Sequence, residues 1–187
     1  MYPIELMHRG GIRLREFAPD DGEQLFAIYG DAEVTRHMSF EPGDREQVEE
    51  IVGSVRRAAL DQPRQEYSLA AVDPSGLLVA FARLAVDTVH PRQNSGQIGF
   101  AVRADQWGKG IGGQVVNLLC RLAFDDMGLY RVWGARSPVN ESSARVMGRA
   151  GMIEEGVIRG HIRVGDGYRD SVVHSILLPE WKTRTAA

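Results

Sequence analysis

Residues 12–17, Ile-Arg-Leu-Arg-Glu-Phe, alternate apolar and charged side chains with period two, the pattern of a half-buried strand. Pro19-Asp20-Asp21 then opens a stretch in which Leu25, Ile28 and Tyr29 share one helical face. A second helix is predicted over residues 45–60, where Val48, Ile51, Val52, Val55 and Ala59 recur at three- and four-residue spacing. Residues 31–44 between them read as an exposed connection. Strand-like runs at 67–72 and 77–86 flank Asp73-Pro74-Ser75-Gly76, a tight-turn sequence, and so form an antiparallel hairpin. A further strand is expected over 96–103.

From Gly110 the period changes. Ile111, Val115, Leu118, Leu119 and Leu122 make an apolar helical stripe that ends near Gly128. Residues 130–135 are a short strand, and Asn140 precedes a helix carrying Val146, Met147 and Ala150, closed by Gly151. Residues 152–164, the turn Gly165-Asp166-Gly167 and residues 168–178 predict that the chain ends as a hairpin. Hairpins first and helix-alternating strands later imply an α+β fold, a mixed α/β sheet with helices on its faces.

The length of 187 residues fits a single domain, 1–187, with no internal repeat or linker. A charged fraction of 25% beside 43% hydrophobic residues is that of a globular chain. The net charge of -3 gives no general field for nucleic acid, so phosphate binding would need a local site. Cys120 is the only cysteine, which excludes an intramolecular disulfide and a cysteine-rich zinc site. No metal is expected, and a reducing, cytoplasmic setting is. The start MYPIELMHRGG lacks the apolar run of a signal peptide, and no stretch approaches the roughly 18 apolar residues of a membrane span.

Gly108-Lys109-Gly110-Ile111-Gly112-Gly113 lies between a predicted strand and helix, where free backbone N–H groups and the helix dipole suit a phosphate or pyrophosphate. The spacing also satisfies G-x-G-x-x-G. A dinucleotide fold, however, would place that turn after the first strand of a βαβ unit with an acidic residue about 20 positions on, whereas here a meander comes first and Asp125 and Asp126 fall in the helix tail. A Walker A loop fails too, because Arg103 stands at its first Gly and Gly110 at its Ser or Thr. A tight turn with no ligand remains the simple reading of this segment alone.

Gln106-Trp107-Gly108-Lys109-Gly110-Ile111-Gly112 resembles the acyl-CoA pyrophosphate loop of the GCN5-related N-acetyltransferase (GNAT) superfamily. Its Trp-Gly-Lys-Gly form is similar to the RimJ/RimL-like branch of ribosomal-protein alanine acetyltransferases; most of the superfamily has Arg or Gln at the Trp107 position. The resemblance continues through Tyr130-Arg131-Val132, Asn140-Glu141-Ser142-Ser143, Gly151-Met152 with Glu155-Gly156, and Gly167-Tyr168-Arg169-Asp170. Met152 departs from the usual Phe, and Tyr130 from a frequent His. A glutamate proposed as general base in the ribosomal enzymes corresponds here to Ile162.

The resemblance implies a GNAT fold with a mostly antiparallel mixed sheet, acetyl-CoA as the acyl-donor cosubstrate and transfer of its acetyl group to a primary amine by direct attack in a ternary complex. The splayed strand would be residues 99–103, with the backbone of Phe100, Ala101 and Val102 on the pantetheine arm and polarising the acetyl carbonyl. The pyrophosphate would lie on Trp107, Gly108, Lys109, Gly110, Ile111, Gly112 and Gly113. Asn140 would orient the cofactor arm and Ser143 would protonate the departing thiolate, while both also fit an ordinary helix start.

For the base, His161 is the first candidate, with Glu41, Asp170 and His174 behind it; each also reads as a surface or hairpin residue. An α-amine of pKa about 7.7–8 needs little help near pH 7, unlike a lysine near 10.4. Expected partners are a CoA thioester and an amine acceptor, either a small molecule or a protein N-terminus, with a homodimer possible and neither nucleic acid nor membrane. The alternatives are a catalytically silent acyl-CoA sensor and an acyltransferase for succinyl-CoA or another donor. Cys120 reads as packing rather than a nucleophile. Trp133 and Trp181 read as core or partly buried aromatics.

Overall fold

The computed structural model describes residues 2–186. Eight strands form one sheet: β1 (Glu5–Met7), β2 (Arg13–Arg15), β3 (Glu66–Val72), β4 (Leu78–Val86), β5 (Ser95–Val102), β6 (Arg131–Arg136), β7 (Ile153–Val164) and β8 (Gly167–Leu177). Their order across the sheet is β1-β2-β3-β4-β5-β6-β8-β7. Every neighbouring pair is antiparallel except β5 and β6, which are parallel. A parallel pair needs a crossover, and helix α4 (Ile111–Arg121) supplies it.

The strand period assigns the two faces. Leu69, Ala71, Ala80, Ala82, Leu84 and Ile98 pack with Val115, Leu118, Leu119 and Leu122 of the crossover, joined by Met147 of α5 (Glu141–Arg149). Ala70, Val72, Phe81 and Ala101 instead meet Leu25 and Ile28 of α1 (Gly22–Tyr29) and Val48 and Val52 of α3 (Arg45–Ala58). The mixed sheet between two helical layers is the α+β architecture expected.

Asp21 begins α1 without capping it by its side chain. Its carboxylate takes the Arg15 guanidinium in a fork at 2.6 and 2.8 Å and the Ala18 N–H at 2.7 Å, which ties the helix start to β2. Asp44 does cap α3, in a reciprocal box with Gln47.

Two expectations change. The chain ends in a helix, α6 (Leu178–Thr185), rather than at the hairpin: Pro179 sits in its first turn, and Trp181 is buried, stacked on Phe124 at 5.7 Å and donating its indole N–H to Asp125 at 2.8 Å. The connection 31–44 contains a short helix, α2 (Ala32–Thr35), which buries Val34 and Thr35 and is capped by Asp31. A short β1 also extends the sheet beyond β2. After α4 the helix continues as a π-helical turn, Leu122–Asp126, before Gly128 turns the chain with φ 68°. Among the described residues no helix is long and apolar enough to cross a membrane.

Candidate functional site

The parallel ladder between β5 and β6 is short: Ser95 faces Arg131, Gly96 faces Val132, and Gln97 faces Trp133. Beyond Gln97 the strands part. β5 stays paired to β4 as far as Val102, and β6 stays paired to β8 as far as Arg136. The β6 side of residues 98–102 is therefore a wedge of backbone without a ladder partner, beginning one residue before the predicted segment 99–103. Such a wedge can take an extended, amide-bearing chain much as a sheet takes another strand. Phe100 and Val102 pack their side chains toward the α4 core and turn their backbone groups to the wedge, whereas Ala101 packs toward the α1 face and turns its backbone to Phe81 of β4.

The chain leaves β5 through a 3-10 turn, Ala104–Gln106, and the Trp107 indole N–H returns to the Val102 carbonyl at 2.7 Å. Gly110 starts α4 at φ 75°, a left-handed backbone that disfavours side chains, and no side chain caps the helix. The first-turn N–H groups of Ile111, Gly112 and Gly113 have no protein acceptor among the described residues. A Cβ at Gly108, Gly110 or Gly113 would meet nothing within 4 Å, so the turn is an open cradle at the positive end of an 11-residue helix. Lys109 Nζ lies beside it, on Gln106 Oε1 at 2.9 Å. These features fit a pyrophosphate.

Gly112 has a different task. A Cβ there would stand 3.2 Å from Val146 Cγ2 and 3.6 Å from Phe100, so its absence lets α5 and β5 close on the start of α4. Ser143 lies about one helical turn before Val146 and is half-buried. Asn140 Oδ1 accepts the Ser143 N–H at 3.0 Å, the capping role, while the Ser143 hydroxyl has no hydrogen-bond partner among the described residues. The wedge, the glycine turn and the Asn140–Ser143 corner thus lie at one end of the sheet.

His161 is elsewhere. It lies on β7, the edge strand, in the irregular stretch between Ile158 and Ile162, with β6 and β8 between it and β5. Its Nδ1 is buried without a partner among the described residues. His161 belongs to the hairpin arm that continues past the end of β6, since Arg136 pairs with Val172 and Val172 with Val157.

The hairpin arm and the α2 segment enclose a cavity of about 270 Å³ lined by Thr35, Arg36, Met38, Phe40, Glu41 and Arg163, among others. Arg169 on β8 ties its walls together by donating to the His37 carbonyl at 2.8 Å. No carboxylate lies within 4.0 Å of this guanidinium among the described residues, and burial depresses its pKa. Phe40 continues inward through Tyr29, at 5.0 Å between ring centroids, to Phe81 at 5.2 Å, and Phe81 pairs with Ala101 of the wedge strand. Burial pushes the Tyr29 hydroxyl pKa up. Arg36, Arg163 and Tyr29 were not among the expected site residues; the apolar Met38 and Phe40 within a polar connection were the available signal.

The acetyltransferase (GNAT) domain family matches residues 12–153. The chain belongs to the GNAT acetyltransferases. It is 26% identical over 182 residues to the N-acetyltransferase YoaA of Bacillus subtilis, covering 96% of this chain and 99% of that one. The structure of Mycobacterium smegmatis RimJ in complex with CoA-disulfide superposes with a TM-score of 0.80 at 19% identity, over 95% of this chain and 88% of RimJ. Spermidine N-acetyltransferase from Vibrio cholerae, in complex with CoA and spermine, gives 0.78 at 16% identity, over 93% and 99%. These two likenesses concern the fold. The GNAT match ends at Ile153, where β7 begins, so the arm that walls the cavity lies beyond the matched segment. The protein is an acetyltransferase enzyme, and of those two related folds one holds CoA-disulfide and the other CoA.

Proposed function

We propose that this GNAT enzyme transfers an acetyl group from acetyl-CoA to a primary amine by direct attack in a ternary complex. The observation that carries the reading is the juxtaposition of the β5–β6 wedge with an uncapped glycine turn at the start of α4. The wedge matches an amide-bearing pantetheine arm and the turn matches a pyrophosphate, which together are the two recognisable parts of CoA.

On this reading, the backbone N–H groups of Phe100 and Val102, which face away from β4, polarise the thioester carbonyl, while Ala101, paired with Phe81 of β4, holds the strand in place. The neutral amine attacks the carbonyl carbon, the C–S bond breaks, and the products are an N-acetyl amide and CoA thiol. The Ser143 hydroxyl gives its proton to the thiolate and is restored by the proton the amine loses, through water. Asn140 holds the first turn of α5 so that Ser143 faces the wedge.

The acceptor enters from the α1–α3 face, past the cavity between α2 and the hairpin arm. His161, the proposed base for amines that need one, is held apart from the wedge on that arm and would take the amine's proton through water. The Trp-Gly-Lys-Gly loop supports a place near the RimJ/RimL branch, and the single cysteine a cytoplasmic setting. The residues 12–153 matched to the family and the arm after them act as a single catalytic domain.

The test is a titration of the purified protein with acetyl-CoA while following thermal stability, then a primary-amine panel with detection of free thiol. A stability shift with thiol release is expected. A shift without release across the panel would favour an acyl-CoA sensor, and release from succinyl-CoA alone would reassign the donor.

A further inference from the structure

Arg136 ends β6, and its side chain is only 9% exposed. Its guanidinium is engaged on every side. Nε donates to His174 Nε2 on β8 at 3.1 Å, and Nη2 donates to Glu154 Oε2 on β7 at 3.0 Å. Nη1 donates to the carbonyls of Ser137, at 3.2 Å, and Pro138, at 2.8 Å. A planar fork with fixed donor directions is thereby anchored on two neighbouring strands and aimed at the corner that follows its own.

The corner leads to Ser143 without a break. The Ser137 carbonyl that receives Arg136 also accepts the Asn140 N–H at 3.0 Å, and Asn140 Oδ1 accepts the Ser143 N–H at 3.0 Å. Ser137 is itself buried. We propose that Arg136, braced by His174 and Glu154, is a positioning residue that sets the Ser137–Asn140 corner and through it the direction of the Ser143 hydroxyl toward the departing thiolate. The inference rests on the proposed role of Ser143. It also gives His174 a task other than base: its Nε2 receives the Arg136 N–H, so the ring proton lies on Nδ1, and no amine can use the occupied nitrogen. Lysine cannot replace Arg136, because an ammonium is a point charge on a flexible stem and cannot serve four acceptors in these directions.

A double-mutant cycle separates positioning from mere stability. Arg136→Lys should keep the acetyl-CoA KM and the acetyl-CoA thermal shift within about twofold of wild type and lower kcat about tenfold or more, as misplacement of a reacting group does. Ser143→Ala should lower kcat similarly, and adding Arg136→Lys to it should cost less than about twofold more, because the two act as one unit. His174→Gln, whose amide oxygen can accept from Arg136, should retain most of kcat, whereas His174→Leu should behave like Arg136→Lys. The exposed Arg145→Lys on α5 should match wild type throughout.

Wild-type kcat in Arg136→Lys, or multiplicative losses in the double variant, would overturn the proposal. A Ser143→Ala enzyme of full activity would also overturn it, while leaving acetyl transfer itself intact. Absence of thiol release from wild type would instead remove the underlying reading and this inference with it. Should Arg136→Lys not fold, the contrast between His174→Gln and His174→Leu decides: equal kcat in both, with acetyl-CoA binding retained, overturns the proposal.

Discussion

The indole N–H of Trp107 donates to the Val102 carbonyl at 2.7 Å, so the glycine turn is tied to the last residue of the strand that borders the wedge. The bond fixes the distance between the proposed pyrophosphate cradle and the proposed pantetheine wedge. Trp107→Phe keeps an aromatic ring there and removes this one bond. A neutral hydrogen bond contributes about 0.5–1.5 kcal/mol, so the acetyl-CoA KM is expected to rise about two- to tenfold with kcat little changed. Steady-state kinetics with varied acetyl-CoA would check it, and a kcat loss at constant KM would contradict it.

Two alanine substitutions in the same turn should move stability in opposite directions. Gly110 has φ 75°, so Gly110→Ala imposes roughly 1–2 kcal/mol of backbone strain although the space around it is open. Gly113 lies in the first turn of α4 with nothing near its Cβ direction, and there alanine is the better helix former by about 0.8–1 kcal/mol. Chemical denaturation should find Gly110→Ala less stable and Gly113→Ala more stable than wild type. Both should show a smaller stabilisation by acetyl-CoA, because a methyl group then crowds the N–H groups that face the ligand.

Cys120 is fully buried in α4, and burial pushes its thiol pKa up to about 12. A protonated, enclosed thiol is neither a nucleophile nor a target for modification. The native protein should therefore leave a chromogenic disulfide reagent unreacted, and the single thiol should titrate fully in denaturant. Rapid labelling of the native protein would reopen a covalent route.

Local signals explain what was legible in the chain. The turn from β5 into α4, the Asn140 cap, the hairpin at Asp73 and the helical stripe of α3 are each written within about a dozen consecutive residues, and all are found. Relations between distant segments were legible only through the family resemblance or not at all. The parallel pairing of Ser95 with Arg131 and the parting after Gln97 are such relations, as is the hydrogen bond from Arg169 to the His37 carbonyl that closes the cavity. Helix α6 was missed for the same reason: Trp181 finds its place on Phe124 and Asp125, and nothing adjacent to it in sequence signals that docking. The three-residue β1 and the four-residue α2 are too short to show a period.

Two carboxylate and imidazole sites predict separate pH windows for stability. His174 has its pKa lowered, first by burial and then by Arg136, with Glu154 opposing. The unfolded imidazole titrates near about 6.5, so below that pH the unfolded chain takes up a proton that the folded chain refuses. The stabilisation is present above about pH 6.5 and is lost as pH falls toward the lower folded value. Glu155 is held down at about 2 by the Arg131 guanidinium and by the Ser175 hydroxyl, which donates to it at 2.7 Å. Its contribution is present above the usual glutamate value, about 4.3, and fades as pH falls from there toward 2. Denaturation midpoints measured across pH should thus begin to drop below about 6.5 and drop again below about 4.3. His37 is also depressed and keeps part of the upper slope, and Glu66 and Asp73, held down by hydrogen bonds from Arg83 and Ser75, keep part of the lower one, so the discriminating comparison is His174→Gln, which should reduce the upper slope without affecting the lower, against Glu155→Gln, which should do the reverse. An upper slope unchanged in His174→Gln would show that His174 takes up its proton equally in the folded and unfolded chains, and its protonated ring would then offer the Arg136 N–H no acceptor.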